Sequence, residues 1–405
     1  MRAFSFSTFL VIFLVIASIP DISAQQLPYD KQLLKNVPTA FAKGAAQYKV
    51  MMKELPLDKF PKNYNPAFKK FETSNSGWWC SGFYPGSLLY LYEQTKDESL
   101  LIEAKRILKV LEKEQYNTST HDLGFMMYCS FGNLQRMFPS DGTKDILLKS
   151  AASLSTRFNP AVGCIKSWNS KDSSDFIVII DNMMNLELLF YATKVSGDSS
   201  FYKIATTHAN TTMKHHFRDD NSSYHVVNYD KNTGAVRERK TAQGYADGSA
   251  WARGQAWGLY GYTMTYRETK DPAYLQMAEK IADYVLDHKN LPADGIPYWD
   301  YNAPDIPDAY RDASAGAIIA AGLLELCTYT GKEQSKKYFL AADKILRSLS
   351  TKNYTAAPGT NGGFILEHSV GHLPAKSEIN VGITYADYYY IEALKRYKEL
   401  AKGRK

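Results

Sequence analysis

Hydrophobic residues recur every three or four positions over most of the chain, which is the spacing that places them on one face of an α-helix. The pattern predicts about twelve helices. They cover approximately residues 31–55, 81–95, 98–114, 123–137, 144–157, 182–195, 199–216, 249–269, 272–288, 313–330, 332–350 and 385–400. Alternation of apolar and polar residues, which is typical of strands, is confined to short segments. The clearest is "SYHVVNYDKNTGAVRERK", which predicts a β-hairpin turning at Asn232 and Gly234.

Two kinds of helix alternate along the chain. "GAIIAAGLLELCTY" is apolar on all sides, whereas "YLQMAEKIADYVLDH" carries Lys and Glu on one face, so the first kind belongs inside and the second outside. Similar turns join them: "EQTKDESL", "KVSGDSSF", "ETKDPAYL" and "YTGKEQSKKY". A recurring hairpin unit indicates a closed or stacked helical array. About six hairpins predict an all-α fold, an (α/α)6 toroid with short β-hairpin insertions.

The N-terminus has the features of a secretory signal peptide. Arg2 precedes an apolar run over residues 9–19, and "DISA" ends at Ala24. The run is shorter than the roughly 20 residues that a spanning helix needs. We therefore expect residues 1–24 to be removed and residues 25–405 to form a single barrel domain. We also expect the protein to be exported and to stay in the periplasm, without a membrane partner.

Composition and cysteine spacing narrow the classes of ligand. The hydrophobic content of 45% and charged content of 22% are ordinary for a globular protein, and the formal charge of +6 suits a polyanionic ligand better than a polycationic one. The cysteines are Cys80, Cys129, Cys164 and Cys327. Their spacing argues against zinc and leaves both disulfides and buried free thiols open. No phosphate loop or metal cluster stands out, so we expect no metal, no cofactor and no nucleic acid, in a monomer or weak oligomer.

Two aspartates stand just before predicted inner helices. In a toroid the inner helices run parallel, so the residues preceding them line one shared pocket. Asp122 in "THD" and Asp181 in "IIDN" hold this position. Each aspartate would serve as a helix N-cap, which is the simpler explanation. Two carboxylates facing one cavity would also suit glycosidic chemistry, in which one group delivers a proton.

An arginine lies among aromatic and small residues in "DGSAWARGQAWGLYGY". Arg253 is costly to bury alone, so it needs a carboxylate, a backbone acceptor or an anionic ligand. The tryptophans and histidines that precede or interrupt the helices have two explanations. Tryptophans serve either as sugar platforms or as core, and His121 and His225 either as catalytic or as structural residues.

Six segments together resemble one family, the unsaturated glucuronyl hydrolases of glycoside hydrolase family 88. They are "WWCSGFYPG", "HDLGFMMY", "IDNMMNLELLFYA", "TAQGYADGSAWARGQAWGLYGY", "PYWDYNAPDIPDAYRDASAGAIIAAGLLEL" and "SEINVGITYADYYYIEALKR". The resemblance implies an (α/α)6 barrel. It also implies a hydrolase that removes the 4,5-unsaturated uronic acid from the non-reducing end of lyase-generated oligosaccharides. The polysaccharide would be heparin or heparan sulfate, chondroitin or hyaluronan.

The resemblance also assigns roles to residues. Asp181 matches the catalytic acid/base, which would protonate C4 of the C4=C5 double bond, and Asp122 matches the second essential carboxylate. The positions that match the substrate pocket are Trp79, His121, Trp168, His225, Gln243, Arg253 and Trp257. Arg253 would lie near the substrate carboxylate or the acidic pair, and Trp257 would give the sugar an apolar wall.

A loop before the last helix bears on substrate choice. "EHSVGHLPAKSE" could cover the pocket mouth, and its Ser369 and Lys376 would suit a sulfate on the next sugar. The export signal and the basic charge favour sulfated glycosaminoglycans.

Three other functions remain open from the sequence. The related unsaturated rhamnogalacturonyl hydrolases act on pectin fragments with the same fold and hydration chemistry. An ordinary inverting glycosidase would use Asp122 and Asp181 as separate base and acid. A sugar-binding protein without catalysis could also adopt this fold.

Overall fold

The computed structural model describes residues 27–403 of the 405-residue chain. The predicted signal peptide over residues 1–24 lies outside the described residues. Buried apolar side chains from Leu33 to Tyr397 belong to one hydrophobic core. Both ends of the described chain therefore pack against the same interior.

The α-helices agree with the predicted pattern. They are α1 Lys31–Glu54, α2 Phe83–Thr95, α3 Glu98–Leu111, α4 Asn133–Met137, α5 Asp141–Ser155, α6 Leu186–Ser196, α7 Ser199–His215, α8 Ala252–Thr269, α9 Pro272–Asp287, α10 Ala313–Leu326, α11 Lys332–Leu349 and α12 Thr384–Ala401. A π-helix, Gly124–Gly132, precedes α4. Two 3₁₀ segments precede inner helices: the Trp79 turn, Trp79–Gly82, before α2, and the Asp181 turn, Ile180–Asn185, before α6.

The inner helices pack side by side in a closed ring. The order around the ring is α2, the π-helix with α4, α6, α8, α10 and α12, and α12 packs back against α2. Nearly every residue of α10 is buried, as its all-round apolar sequence requires. The amphipathic helices α1, α3, α5, α7, α9 and α11 lie outside the ring, next to the inner helices that they adjoin in sequence. The predicted (α/α)6 toroid is confirmed.

The inner ring is closely packed where the π-helix meets its neighbours. A Cβ added at Gly82 would lie 2.2 Å from the carbonyl oxygen of Phe125, and one added at Gly124 would lie 2.3 Å from the Cα of Asn185. Only glycine permits such approach of two backbones. The π-helix is therefore in direct contact with both the Trp79 turn and the Asp181 turn. The sequence predicted an ordinary helix over residues 123–137, and π-helical turns of this kind often mark functional sites.

The strands form small sheets at the helix ends. They are β1 Phe60–Asn65, β2 Lys70–Ser74, β3 Phe158–Asn159, β4 Cys164–Ile165, β5 Asp175–Ile179, β6 Val226–Asp230, β7 Val236–Lys240, β8 Ser369–His372 and β9 Ser377–Ile383. Their sheets have the orders β2-β1-β9-β8, β3-β4 and β5-β6-β7, and all the pairings are antiparallel. The predicted hairpin is confirmed as β6 and β7.

One prediction about the chain path is corrected. The sequence predicts a loop for "EHSVGHLPAKSE", but the segment folds as β8 and the start of β9, which we call the C-terminal hairpin, Ser369–Ile383. β8 pairs with β9, and two of its three paired partners, Ile379 and Val381, lie beyond the end of this segment. β9 in turn pairs with β1 at Gly382 and Ile383, so the hairpin joins a sheet whose other strands lie about 300 residues earlier in the chain. The sequence of the segment alone contains no sign of these partners.

Two further findings concern membrane-spanning helices and the cysteines. Within residues 27–403, no helix combines the length and apolar character needed to cross a membrane. All four cysteines are free thiols, and Cys80, Cys164 and Cys327 are buried. Burial raises the pKa of each thiol, so the thiols are protonated and act as small apolar core groups.

Candidate active site

The Asp181 side chain occupies a buried position at the rim of the barrel. It lies in the Asp181 turn, between the end of β5 and the start of α6, and the residue is only 9% exposed. Its Oδ1 atom is buried and has no hydrogen-bond partner. Burial raises the pKa of Asp181 to about 7, and this rise is opposed by the charge of Arg253 and reinforced by that of Asp122. A carboxyl group with this pKa can both give and take a proton near neutral pH.

Asp122 stands just before the π-helix, is half-buried, and is near enough for its charge to act on Asp181. Its Oδ2 accepts a hydrogen bond of 3.0 Å from the Thr120 hydroxyl, and its Oδ1 lies 3.2 Å from Nε2 of His121. Neither aspartate caps a helix, because the N-cap positions are held by neighbouring residues and carry no side-chain hydrogen bond. The capping explanation is therefore wrong for both, and both carboxylates remain available to a ligand.

His225 presents an N–H group to Asp181. Its Nδ1 accepts hydrogen bonds of 3.1 Å from the backbone N–H groups of Ala242 and Gln243. Burial lowers the pKa of His225 well below its usual value, so the ring is neutral and its single proton is on Nε2. That Nε2 lies 3.9 Å from Oδ1 of Asp181 and has no hydrogen-bond partner. The gap exceeds a direct hydrogen bond, so both atoms are free to contact a third group.

His121 is a second neutral histidine at the site. It is 3% exposed, and burial lowers its pKa. Although its Nε2 lies close to Asp122, that atom makes no hydrogen bond of good geometry. Both histidines are thus uncharged at neutral pH.

Aromatic rings surround the histidine and the carboxylates. Trp168 meets His225 edge-on with ring centres 5.6 Å apart, and Trp251 lies 4.4 Å from the same ring. Trp79 is half-buried and packs on Tyr385 with ring centres 5.0 Å apart. Trp79 and Trp168 each retain some exposed surface, as a sugar platform requires.

Trp257 differs from its expected role. It is 0% exposed, and its ring packs against Phe125 and Tyr389 with centres 5.1 Å and 5.4 Å away. Its position within the inner helix α8 places it beneath the site. Trp257 therefore packs beneath the site and presents no exposed surface to a sugar.

Arg253 is held by the protein itself. Its guanidinium is 1% exposed, donates a hydrogen bond of 3.0 Å to the Asp312 carboxylate and also donates to the carbonyl groups of Val370 and Gly371. The cation lies 4.5 Å from the centre of the Trp251 ring. A carboxylate and two backbone acceptors thus offset the cost of burying the Arg253 charge, and that charge still lowers the pKa of Asp181.

Asp312 is a site residue that the sequence analysis missed. It caps α10 through a 3.0 Å bond from the backbone N–H of Ser314, and its other oxygen pairs with Arg253. The available signal was its position in "RDASAG", since it directly precedes an inner helix just as Asp122 does. Because residues that precede inner helices line the rim, this position predicts that Asp312 belongs to the site.

The C-terminal hairpin forms one edge of the site. Gln243 donates a 3.0 Å hydrogen bond to the Gly371 carbonyl, and Nε2 of His372 lies 2.9 Å from the Ala242 carbonyl. Ser369 is fully buried with an unpartnered hydroxyl, whereas Lys376 is exposed at the hairpin turn. The two residues expected to recognise a sulfate thus lie in different environments.

Two other features of the described residues bear on the location of the site. No group of three or more His, Cys, Asp or Glu side chains within residues 27–403 could hold a metal ion. A cavity of about 570 Å³ lies between the C-terminal parts of the inner helices. Its buried Glu392 is paired with Arg396 at 3.3 Å and accepts a bond from the Tyr260 hydroxyl at 3.1 Å. The charged groups of this cavity are paired, unlike Oδ1 of Asp181, although the Tyr191 hydroxyl in its wall has no partner.

Three polar atoms of Asp181 and the two histidines of the candidate site lack a hydrogen-bond partner. Oδ1 of Asp181, Nε2 of His225 and Nε2 of His121 are all buried without a hydrogen bond. A buried polar group left unpaired costs about 1–3 kcal/mol, so such a cluster persists where a ligand supplies the missing partners. The arrangement offers a proton-donating carboxyl, a second carboxylate and a neutral N–H donor around one pocket.

Comparison with known proteins gives consistent matches. Residues 54–404 match the model of Glycosyl Hydrolase Family 88. An unsaturated glucuronyl hydrolase of Formosa agariphila is 48% identical over 343 residues, covering 84% of this chain and 85% of the relative. An unsaturated chondroitin disaccharide hydrolase of Streptococcus pneumoniae is 33% identical over 354 residues, covering 85% of this chain and 88% of the relative. The crystal structure of an unsaturated glucuronyl hydrolase specific for heparin superposes with a TM-score of 0.88 at 46% identity, covering 91% of this chain and 98% of that one.

Proposed function

The chain belongs to glycosyl hydrolase family 88 and is a glycoside hydrolase of the unsaturated glucuronyl type, and from this premise we propose its substrate and mechanism. The substrate is an oligosaccharide left by a polysaccharide lyase, with a 4,5-unsaturated uronic acid at its non-reducing end. The polysaccharide is a glycosaminoglycan. The single observation that carries the mechanism is the buried Asp181 carboxyl, whose pKa is raised to about 7 and whose Oδ1 has no partner.

Asp181 acts first as an acid and then as a base. In its protonated form it gives its proton to C4 of the double bond, which leaves an oxocarbenium-like centre at C5. A water molecule then adds to C5, and the Asp181 carboxylate takes the proton that this water releases. The resulting hemiketal opens and releases the remaining sugar. One carboxyl therefore performs both proton transfers, and a pKa near 7 suits a group that must hold and lose a proton in one cycle.

Asp122 and His225 support Asp181 in different ways. The negative charge of Asp122 adds to the rise in the pKa of Asp181 and so favours its protonated form. His225 offers its Nε2–H 3.9 Å from Oδ1 of Asp181, where it contacts the substrate or the attacking water. Burial, however, is the larger cause of the raised pKa. We therefore assign Asp122 chiefly to positioning the substrate.

Two observations favour a sulfated glycosaminoglycan, and heparin or heparan sulfate in particular. The structural neighbour at 46% identity is described as specific for heparin, while the chondroitin relative is 33% identical. The formal charge of +6 also favours an anionic substrate. Export to the periplasm after removal of residues 1–24 is part of the proposal, and N-terminal sequencing of the protein recovered from cells tests it.

The experiment follows the ultraviolet absorbance of the unsaturated uronate. Purified protein is mixed with lyase-made disaccharides from heparan sulfate, chondroitin, hyaluronan and pectin, alongside the Asp181→Asn variant. The proposal expects loss of absorbance with the wild-type protein only, fastest on the sulfated heparan disaccharide. Cleavage of saturated glycosides instead would favour an inverting glycosidase, and fastest loss on the pectin fragment would favour a rhamnogalacturonyl substrate. Binding without any turnover would favour a sugar-binding protein.

A further inference from the structure

One tryptophan at the rim differs from all the others. The six tryptophans of the chain all lie within residues 27–403, and Trp78 alone among them is exposed, with 41% of its surface accessible. It immediately precedes Trp79, whose ring packs inside the mouth of the barrel on Phe125 with ring centres 5.4 Å apart. The main chain of Trp78 is fixed, since its N–H donates to the Asn75 carbonyl at 3.2 Å and its carbonyl accepts from Ser81 at 2.9 Å. A rigid backbone thus holds an exposed indole next to the candidate active site.

A lysine from the N-terminal hairpin, formed by β1 and β2, lies over the Trp78 ring. The Nζ atom of Lys62, on β1, is 5.2 Å from the ring centroid, and it is 3.5 Å from the Glu378 carboxylate on β9. Attraction between a cation and the face of an indole restrains both side chains. One face of the ring is therefore covered by Lys62, and the exposed part is available for contact with a ligand.

Packing links this pair to the candidate active site. β1, which carries Lys62, contacts the Trp79 turn, and the Trp79 turn contacts the π-helix that begins just after Asp122. Trp78 directly precedes the Trp79 turn, so the indole lies on an element that packs against the start of the π-helix.

We propose that Trp78 is a stacking platform for the second sugar of the substrate, the one bonded to the unsaturated uronate, and that Lys62 holds the indole in place. The inference rests on the proposed function and adds to it a residue that recognises the sugar beyond the uronate. Pyranose rings present C–H groups on their faces, and an indole provides a large, rigid apolar surface for them. The uronate itself lies deeper, between Trp79, Trp168 and the carboxylates.

The test compares two substrates that differ only beyond the uronate. One is the lyase-made disaccharide, and the other is the methyl glycoside of the same unsaturated uronic acid, which lacks a second sugar. For Trp78→Ala we expect the ratio of kcat/KM for the disaccharide to kcat/KM for the methyl glycoside to fall about three- to tenfold, mainly through KM. For Lys62→Met, which keeps the chain length and removes the charge, we expect a fall of about two- to threefold.

A matched control is available on the same N-terminal hairpin. Phe68, in the turn between β1 and β2, is 79% exposed, so Phe68→Ala also removes an exposed aromatic ring and should leave the ratio unchanged. An unchanged ratio in Trp78→Ala, or an equal loss on both substrates, would overturn the platform. Failure of the wild-type protein to act on either substrate would instead overturn the proposed function, so the two failures are distinguishable.

Discussion

Replacing Asp181 by asparagine should abolish activity and at the same time stabilise the protein at alkaline pH. The carboxyl is 9% exposed, and burial raises its pKa from the ordinary 3.8 to about 7. An acid with a raised pKa in the folded protein binds its proton more tightly there than in the unfolded chain. The fold therefore loses stability as the pH rises from 3.8 to about 7, and above 7 the full penalty is present.

The magnitude follows from the pKa difference. A rise from 3.8 to about 7 corresponds to a penalty of about 4 kcal/mol at pH 8, and at pH 5 only about 2 kcal/mol of it has developed. Asparagine has nearly the shape of the protonated acid and cannot ionise. The free energy of unfolding of Asp181→Asn should therefore exceed that of the wild-type protein by about 4 kcal/mol at pH 8 and by about 2 kcal/mol at pH 5.

Urea denaturation at the two pH values measures this difference. The matched control is Asp308→Asn, which removes an exposed carboxylate from the same chain and should show no comparable gain at either pH. Equal effects of Asp181→Asn at pH 5 and pH 8, or a loss of stability at pH 8, would refute the argument that burial destabilises the ionised form. Such a result would also remove the basis for Asp181 as a proton donor near neutral pH.

Three further predictions concern the groups around Asp181. Because Asp181 must be protonated to act on C4, kcat/KM should fall as the pH rises above about 7. Asp122→Asn removes a charge that raises the pKa of Asp181, so the pH–rate profile of this variant should show the fall beginning at lower pH. A fall that begins at higher pH would contradict the assignment. Asp312→Asn leaves the buried Arg253 without its carboxylate and should lower the free energy of unfolding by about 3 kcal/mol in urea denaturation; a loss below about 1 kcal/mol would show that the two carbonyl acceptors suffice. Arg253→Lys keeps the charge but cannot make the same set of bonds to Asp312, Val370 and Gly371, so kcat/KM should fall at least about tenfold, and full activity would exclude a role for the planar guanidinium.

The helical part of the molecule could be predicted from the sequence because its determinants are local. Spacing of apolar residues sets which face of a helix is buried, and the difference between all-round apolar and amphipathic helices separates the inner ring from the outer one. The Asp122 and Asp181 positions also follow from the parallel inner helices. The pattern did not predict the π-helix. The π-helix makes close backbone contacts with residues far away in the sequence, because Gly82 meets Phe125 and Gly124 meets Asn185.

The partners of the site residues could not be read from the sequence. Arg253 was expected to need a carboxylate or a backbone acceptor and to lie near the acidic pair, and its charge does act on Asp181. Its direct partners, however, are Asp312, which is 59 positions away in sequence, and two carbonyl groups more than 110 positions away. Trp257 was expected to give the sugar an apolar wall, but its side chain is 0% exposed and packs against neighbouring rings. A sequence shows that a buried charge needs a partner, but only the fold determines which of several distant groups reaches it.

The C-terminal hairpin links Arg253 and Gln243 to β1, which bears on how the site holds its geometry. Its Gly371 carbonyl accepts hydrogen bonds from both Arg253 and Gln243, while the backbone N–H of Gln243 donates to Nδ1 of His225. That last bond keeps the His225 proton on Nε2, the atom nearest Asp181. The same hairpin pairs with β1, so the strand that carries Lys62 is fixed to it. Orientation of His225 and placement of the Trp78 platform therefore depend on one sheet, and a substitution that loosens the hairpin should impair proton transfer and recognition of the second sugar together.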